Sequence, residues 1–185
     1  MERVFIGIFP GNKILEQIEK IRSESAPFLT GRFIEPSNIH VTIQFIGFVS
    51  KEKVNEIAGN IRKTSINLKP FSLEYKSLGC FPSFSSPRVL WIGMEDESRV
   101  LSKLKQELDD LNKEFIKIER KSFTPHLTIA KIKDIKDYNA FASLMNTYKN
   151  TSFGKDVIES IYLLESRLKR SGAEYFVIEK FNLGI

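Results

Sequence analysis

The sequence predicts a bilobal, mixed helix-and-strand protein in which one β-α-β-α-β unit occurs twice, the second copy ending in an additional strand. Three observations predict it. Strand-like and helix-like apolar periods alternate along the whole chain. The only two histidines occupy the same four-residue frame, His40-Val41-Thr42-Ile43 and His126-Leu127-Thr128-Ile129. Their separation, 126 − 40 = 86, also lays Phe5-Ile6-Gly7 on Trp91-Ile92-Gly93 and Ile14-Leu15 on Val100-Leu101, the register of an internal duplication.

The apolar run Val4 to Phe9 reads as a buried strand closed by Pro10-Gly11, followed by a helix with Ile14, Leu15, Ile18 and Ile21 on one face. Pro36-Ser37-Asn38 leads into the His40 strand, which runs to about Phe48. Ser50 suits the N-cap of a helix carrying Val54, Ile57, Ala58 and Ile61, and Phe71 to Leu78 alternates as a strand. The second half repeats the order: a strand from Arg88 to Met94, a helix with Leu101, Leu104, Leu108 and Leu111, and the His126 strand from about Phe123 to Ile132. A helix near Asp137 to Tyr148 follows, then strands over Val157 to Leu164 and Tyr175 to Phe181 joined by a turn at Ser171-Gly172. Phe81 to Pro87, rich in Pro and Ser, reads as the connection between lobes, its phenylalanines packing inward or offering a surface for nucleobases. The expected organisation is one domain, 1–185, with lobes of about 1–80 and 88–185 and C-terminal strands that can cross to the first lobe.

Composition bounds the function. An apolar content of 42% with 11% aromatic residues is enough for a packed core, so a disordered chain is not expected. The net charge of +5 mildly favours polyanions. One cysteine, Cys80, excludes an internal disulfide framework and fits a cytoplasmic protein. The apolar start is too short for a signal peptide, and no stretch is long enough to span a membrane. Two widely spaced histidines without clustered Cys, Asp or Glu argue against zinc, so neither a metal nor a cofactor is expected.

The chemistry follows from strand parity. Residues two apart share a face, so each motif presents an imidazole beside a hydroxyl while Val41, Ile43, Leu127 and Ile129 go to the other face. Two such units facing one cleft supply a proton acceptor, a proton donor and two hydroxyls for the oxygens of a phosphate.

The segments Asn38-Ile39-His40-Val41-Thr42-Ile43-Gln44-Phe45-Ile46-Gly47 and Phe123-Thr124-Pro125-His126-Leu127-Thr128-Ile129-Ala130 resemble the paired His-x-Thr signature of the two-histidine (2H) phosphoesterases. Within that superfamily the chain is most similar to the RNA 2′,3′-cyclic phosphodiesterases, also described as 2′-5′ RNA ligases. Arg3-Val4-Phe5-Ile6 and Pro87-Arg88-Val89-Leu90-Trp91 add to the likeness. The resemblance implies an α+β fold with two antiparallel-rich sheets facing a central, basic cleft. It also implies hydrolysis of RNA 2′,3′-cyclic phosphate ends, for example on tRNA fragments, to 2′-phosphates, by a monomeric protein. By position His40 is then the general acid that protonates the leaving 3′ oxygen and His126 the general base that activates water, with Thr42 and Thr128 binding the phosphate.

Some family members carry arginine where this chain has Lys131. Strict alternation puts Lys131 on the face opposite His126, so a role on the phosphate requires a bulge; otherwise it is an ordinary exposed lysine. Arg88 is a candidate for the phosphate or the RNA backbone. The clusters Arg120-Lys121, Lys131 with Lys133, and Arg167-Lys169-Arg170 either line an RNA path or are solvated surface. Trp91 and Tyr175 read as core, and Asn38, Gln44 and Thr124 share the parity of the site residues. Three further readings stay open: 2′-5′ ligation of cyclic-phosphate and 5′-hydroxyl RNA ends at the same site, a non-catalytic RNA-phosphate-binding module, and a small cyclic phosphate as substrate.

Overall fold

A computed structural model describes residues 1–96, 98–116, 122–169 and 172–184. Its elements run β1 (Glu2–Ile8), α1 (Asn12–Ser25), β2 (Leu29–Phe33), a 3-10 turn (Pro36–Asn38), β3 (Val41–Val49), α2 (Lys51–Asn67), β4 (Phe71–Ser83) and β5 (Ser86–Glu95). Then come α3 (Val100–Leu111), β6 (His126–Ile135), α4 (Tyr138–Thr147), β7 (Ser152–Ile158), β8 (Ser160–Lys169) and β9 (Gly172–Asn182). Every strand pairing is antiparallel, in the order β7-β4-β5-β6-β3-β1-β8-β9, with β2 also on β6. This is the α+β architecture expected, with its strand set divided into β9-β8-β1-β3 and β7-β4-β5-β6.

The two sets meet at one paired position, Val41 with Leu127. Those residues are themselves equivalent under the 86-residue repeat, so the pseudo-twofold axis passes through the seam. The duplication is also reciprocal. Strand β4, from the first half, pairs with β5 in the second lobe, while its repeat equivalent β8 pairs with β1 in the first. Helix α1 packs against β7 and α4, and its equivalent α3 packs against β3 and α2. Each half therefore lends a helix and two strands to the other, α1, β2 and β4 one way and α3, β8 and β9 the other, and neither could bury its apolar face alone.

This exchange corrects the expected linker. Phe81 to Pro87 does not join lobes: Pro82 pairs with Pro87 and Ser83 with Ser86, so the segment is the tip of the β4–β5 hairpin inside the second lobe. Its Phe84 ring stacks on buried Phe141 at 5.4 Å yet stays 46% exposed, and Phe81 faces a cavity, so the inward packing expected is met only in part. Strand β2 lay hidden in the sequence because Leu29-Thr-Gly-Arg-Phe33 has little alternation, and the Val157 to Leu164 strand proves to be the junction of β7 and β8. Ser171 of the expected turn lies outside the described residues.

The helices cover one face of the sheet. Val41, Ile43, Leu127 and Ile129 are each no more than 1% exposed there. Asp137 caps α4 by accepting from the Asn139 and Ala140 amides, 2.9 and 3.0 Å. Trp91 lies flat over Gly79, where an added Cβ would sit 2.1 Å from the ring. Gly79→Ala should therefore displace the indole and cost about 1–3 kcal/mol of stability, read as a lower melting temperature. Trp91 is the sole tryptophan, so its fluorescence reports the displacement directly.

Candidate active site

Both motif strands carry the same irregularity. In β3, Gly7 pairs with Thr42 and Ile6 with Gln44, leaving Ile43 as an extra residue; in β6, Trp91 pairs with Thr128 and Leu90 with Ala130, leaving Ile129. These are β-bulges at equivalent positions, and each resets the side-chain parity beyond it. Two consecutive residues then face the core, Ile43-Gln44 and Ile129-Ala130, all at most 1% exposed. The next residue of each strand, Phe45 and Lys131, swings to the same side as the histidines. The bulge required for Lys131 is thus present, and its repeat equivalent is an aromatic ring.

The antiparallel pairing about Val41 and Leu127 sets His40 across from Thr128 and Thr42 across from His126, so each imidazole has its own motif hydroxyl along the strand and the other motif's across the seam. Both rings are held in one way. His40 Nδ1–H donates to the Asn38 carbonyl at 2.7 Å, and His126 Nδ1–H donates to the Thr124 carbonyl at 2.8 Å. A carbonyl only accepts, so Nδ1 carries the proton and Nε2 is the nitrogen left for chemistry. His40 Nε2 lies 3.1 Å from the Thr42 hydroxyl.

Aromatic rings buttress each imidazole. Phe5 and Tyr175 lie 4.8 and 4.7 Å from His40, and Phe81 and Trp91 lie 5.1 and 6.2 Å from His126. Phe5 and Trp91 are repeat equivalents. Burial pushes the His40 pKa below its usual 6.5, opposed by the bond to Asn38 and reinforced by the charge of His126. The two imidazoles are therefore close enough to feel one another.

Two cavities flank the pair, and Thr42 and Phe45 line both. The one on the His40 side, about 350 Å³, is walled by Arg3, Arg32, Lys131 and Tyr175, with no carboxylate among the described residues that line it. The one on the His126 side, about 810 Å³, is lined by Phe81, Phe123 and Ile116 together with a polar face of α3. That face is anchored: Gln44 donates to Asp109 at 2.7 Å and accepts from Asn112 at 2.7 Å, while Lys105 pairs with Asp109. Gln44 thus positions α3 and does not touch either imidazole.

His40, Thr42, His126 and Lys131 are brought to one groove, and Thr128 is half-buried on β6 beside it. Arg88 is not. Its side chain is exposed and donates to the Lys133 carbonyl at 3.2 Å. Arg167 pairs with Glu165 and Lys169 with Glu174, while Arg120, Lys121 and Arg170 lie outside the described residues. Arg3, Arg32, Phe45 and Tyr175 join the site from outside the two His-x-Thr motifs. For Phe45 a signal existed, its place five residues after His40 matching Lys131 after His126.

No helix of the structure, among the described residues, is long and apolar enough to cross a membrane. Residues 11–183 match the AKAP7 2′5′ RNA ligase-like domain family. A relative from Aquifex aeolicus named RNA 2′,3′-cyclic phosphodiesterase is 37% identical over 184 residues, covering 98% of this chain and 97% of its own. A Methanocaldococcus jannaschii protein of the same name is 31% identical over 97% of this chain and 99% of its own. Among solved structures, a Thermus thermophilus protein superposes with a TM-score of 0.84 at 24% identity, covering 98% of this chain and 97% of that one. E. coli LigT complexed with 3′-AMP reaches 0.78 at 24% identity over 98% of both chains. With the duplicated His-x-Thr strands in one groove, the chain belongs to the 2′-5′ RNA ligase-like family of 2H phosphoesterases.

Proposed function

We propose that this protein hydrolyses terminal 2′,3′-cyclic phosphates of RNA to 2′-phosphates by paired-histidine acid-base catalysis. The observation that carries the reading is the matched pair of imidazoles, each with Nδ1 tied to the carbonyl two residues earlier and Nε2 left for the groove. The names of the relatives support the substrate.

The phosphorus sits at the boundary of the two cavities, near Thr42. His126 Nε2 takes a proton from water as its oxygen bonds to phosphorus. The P–O3′ bond breaks opposite the entering oxygen, and His40 Nε2–H delivers its proton to O3′. Thr42 and Thr128 hold the non-bridging oxygens, and Lys131 offsets their charge. In the free protein burial keeps His40 neutral more readily than usual, so the bound anion is what charges it for its role as acid. No step in this scheme uses a metal.

The test is incubation of an oligoribonucleotide ending in a 2′,3′-cyclic phosphate, with and without EDTA. A 2′-phosphate product formed equally in both supports the reading; no turnover, or turnover restored only by added metal, contradicts it. A second RNA carrying a 5′-hydroxyl reports ligation in the same assay, since a sugar hydroxyl can replace water at the base. Lys131→Ala should raise KM about tenfold with a smaller change in kcat, from the loss of one charged contact to the phosphate.

A further inference from the structure

The His40-side cavity holds more positive charge than one cyclic phosphate needs. A cyclic phosphodiester carries a single negative charge, yet Arg3, Arg32 and Lys131 converge there from three strands with no acidic residue among the described residues of the lining. Arg3 is half-buried, its guanidinium 5.0 Å from the centre of the Phe45 ring, which orients it. The charges of Arg3 and Arg32 both reach Tyr175, whose ring packs edge-on against His40. Gly172 makes the space: a Cβ there would fall 1.4 Å from Arg32 Nη1. The cations therefore surround one small volume beside one imidazole.

Resting on the function proposed above, we infer that this cavity is a second phosphate subsite, made for the phosphodiester on the 5′ side of the terminal nucleotide. In an in-line displacement the ribose leaves on the side of the general acid, here His40. Its C5′ then runs into the cavity lined by His40, where the next phosphate of an RNA chain meets Arg3 and Arg32. Arginine suits that task, because its planar fork can donate two hydrogen bonds to one phosphate. Among the described residues the His126-side cavity has a different chemistry, with aromatic walls and a lysine, Lys105, that is already paired with Asp109. The substrate class is accordingly an RNA end, and a nucleoside cyclic phosphate is a poorer one.

Calorimetry with the product-type ligands adenosine 2′-monophosphate, adenosine 2′,5′-bisphosphate and the dinucleotide ApA bearing a 2′-phosphate tests this without turnover. The dinucleotide and the bisphosphate should each bind about tenfold tighter than the monophosphate, the gain from one charge-assisted contact set. That preference should shrink towards parity in Arg3→Gln and in Arg32→Gln, and persist in Lys133→Gln, which removes a nearby charge outside the cavity. Equal affinity of the wild type for all three ligands overturns the inference, as does a preference that survives both arginine changes or one shown by the bisphosphate alone. Arg32 is exposed, so its variant keeps the test valid if Arg3→Gln disturbs folding. Cyclic-phosphate turnover is read separately: the preference without turnover rejects the proposed reaction, and turnover without the preference rejects only the subsite.

Discussion

Replacing either His40 or His126 by alanine should lower kcat by about 10²–10⁴, the range of a positioned general acid or base. Both side chains lie on the groove face of their strands, while Val41 and Leu127 beside them form the seam, so the fold should survive each change. Far-ultraviolet circular dichroism and the melting temperature check that. The double variant should lose little more than the worse single one, because acid and base act in one step. A substrate with sulfur in place of the leaving 3′ oxygen then separates the roles. Thiolate needs no proton to depart, so His40→Ala should be largely rescued by that substrate and His126→Ala should not. Rescue of the His126 variant instead would exchange the two assignments, and activity retained by both alanine variants would remove the histidines from the mechanism.

The second large effect is on pH. Turnover requires one imidazole charged and one neutral, so log kcat/KM against pH should be bell-shaped, each limb falling about tenfold per pH unit. The acid limb marks the binding of a second proton by the two-histidine site. Burial of His40, with the charge of His126 adding to it against the opposing bond to Asn38, disfavours that proton. The acid limb of kcat/KM should therefore begin below pH 6.5, the ordinary value for His40. A bound phosphodiester anion stabilises imidazolium and raises its pKa, so both limbs of kcat, which report the complex, should lie at higher pH than those of kcat/KM. Coincident limbs would mean that the anion does not reach His40.

Much of this protein was legible before its coordinates. Two histidines in one frame, 86 residues apart with matching strands and helices before them, indicated duplication and put each imidazole on one strand face with its motif threonine, because local periodicity records which residues share a face. The repeat makes Val41 and Leu127 equivalent, but it is their pairing in the fold that puts the seam there. Partnership between remote strands leaves no local trace. Which lobe receives β4 and β8, that Phe81 to Pro87 is a hairpin tip, and that Arg3, Arg32 and Tyr175 gather beside His40 depend on pairings across many tens of residues. The fate of Lys131 and Arg88 shows the same division. Lys131 reaches the groove because a bulge at Ile129 reverses the parity that its spacing implies, and Arg88 misses it, donating instead to the Lys133 backbone. Residue types and periods determined the chemistry available; only the packing of the two exchanged halves decided which cations stand beside it.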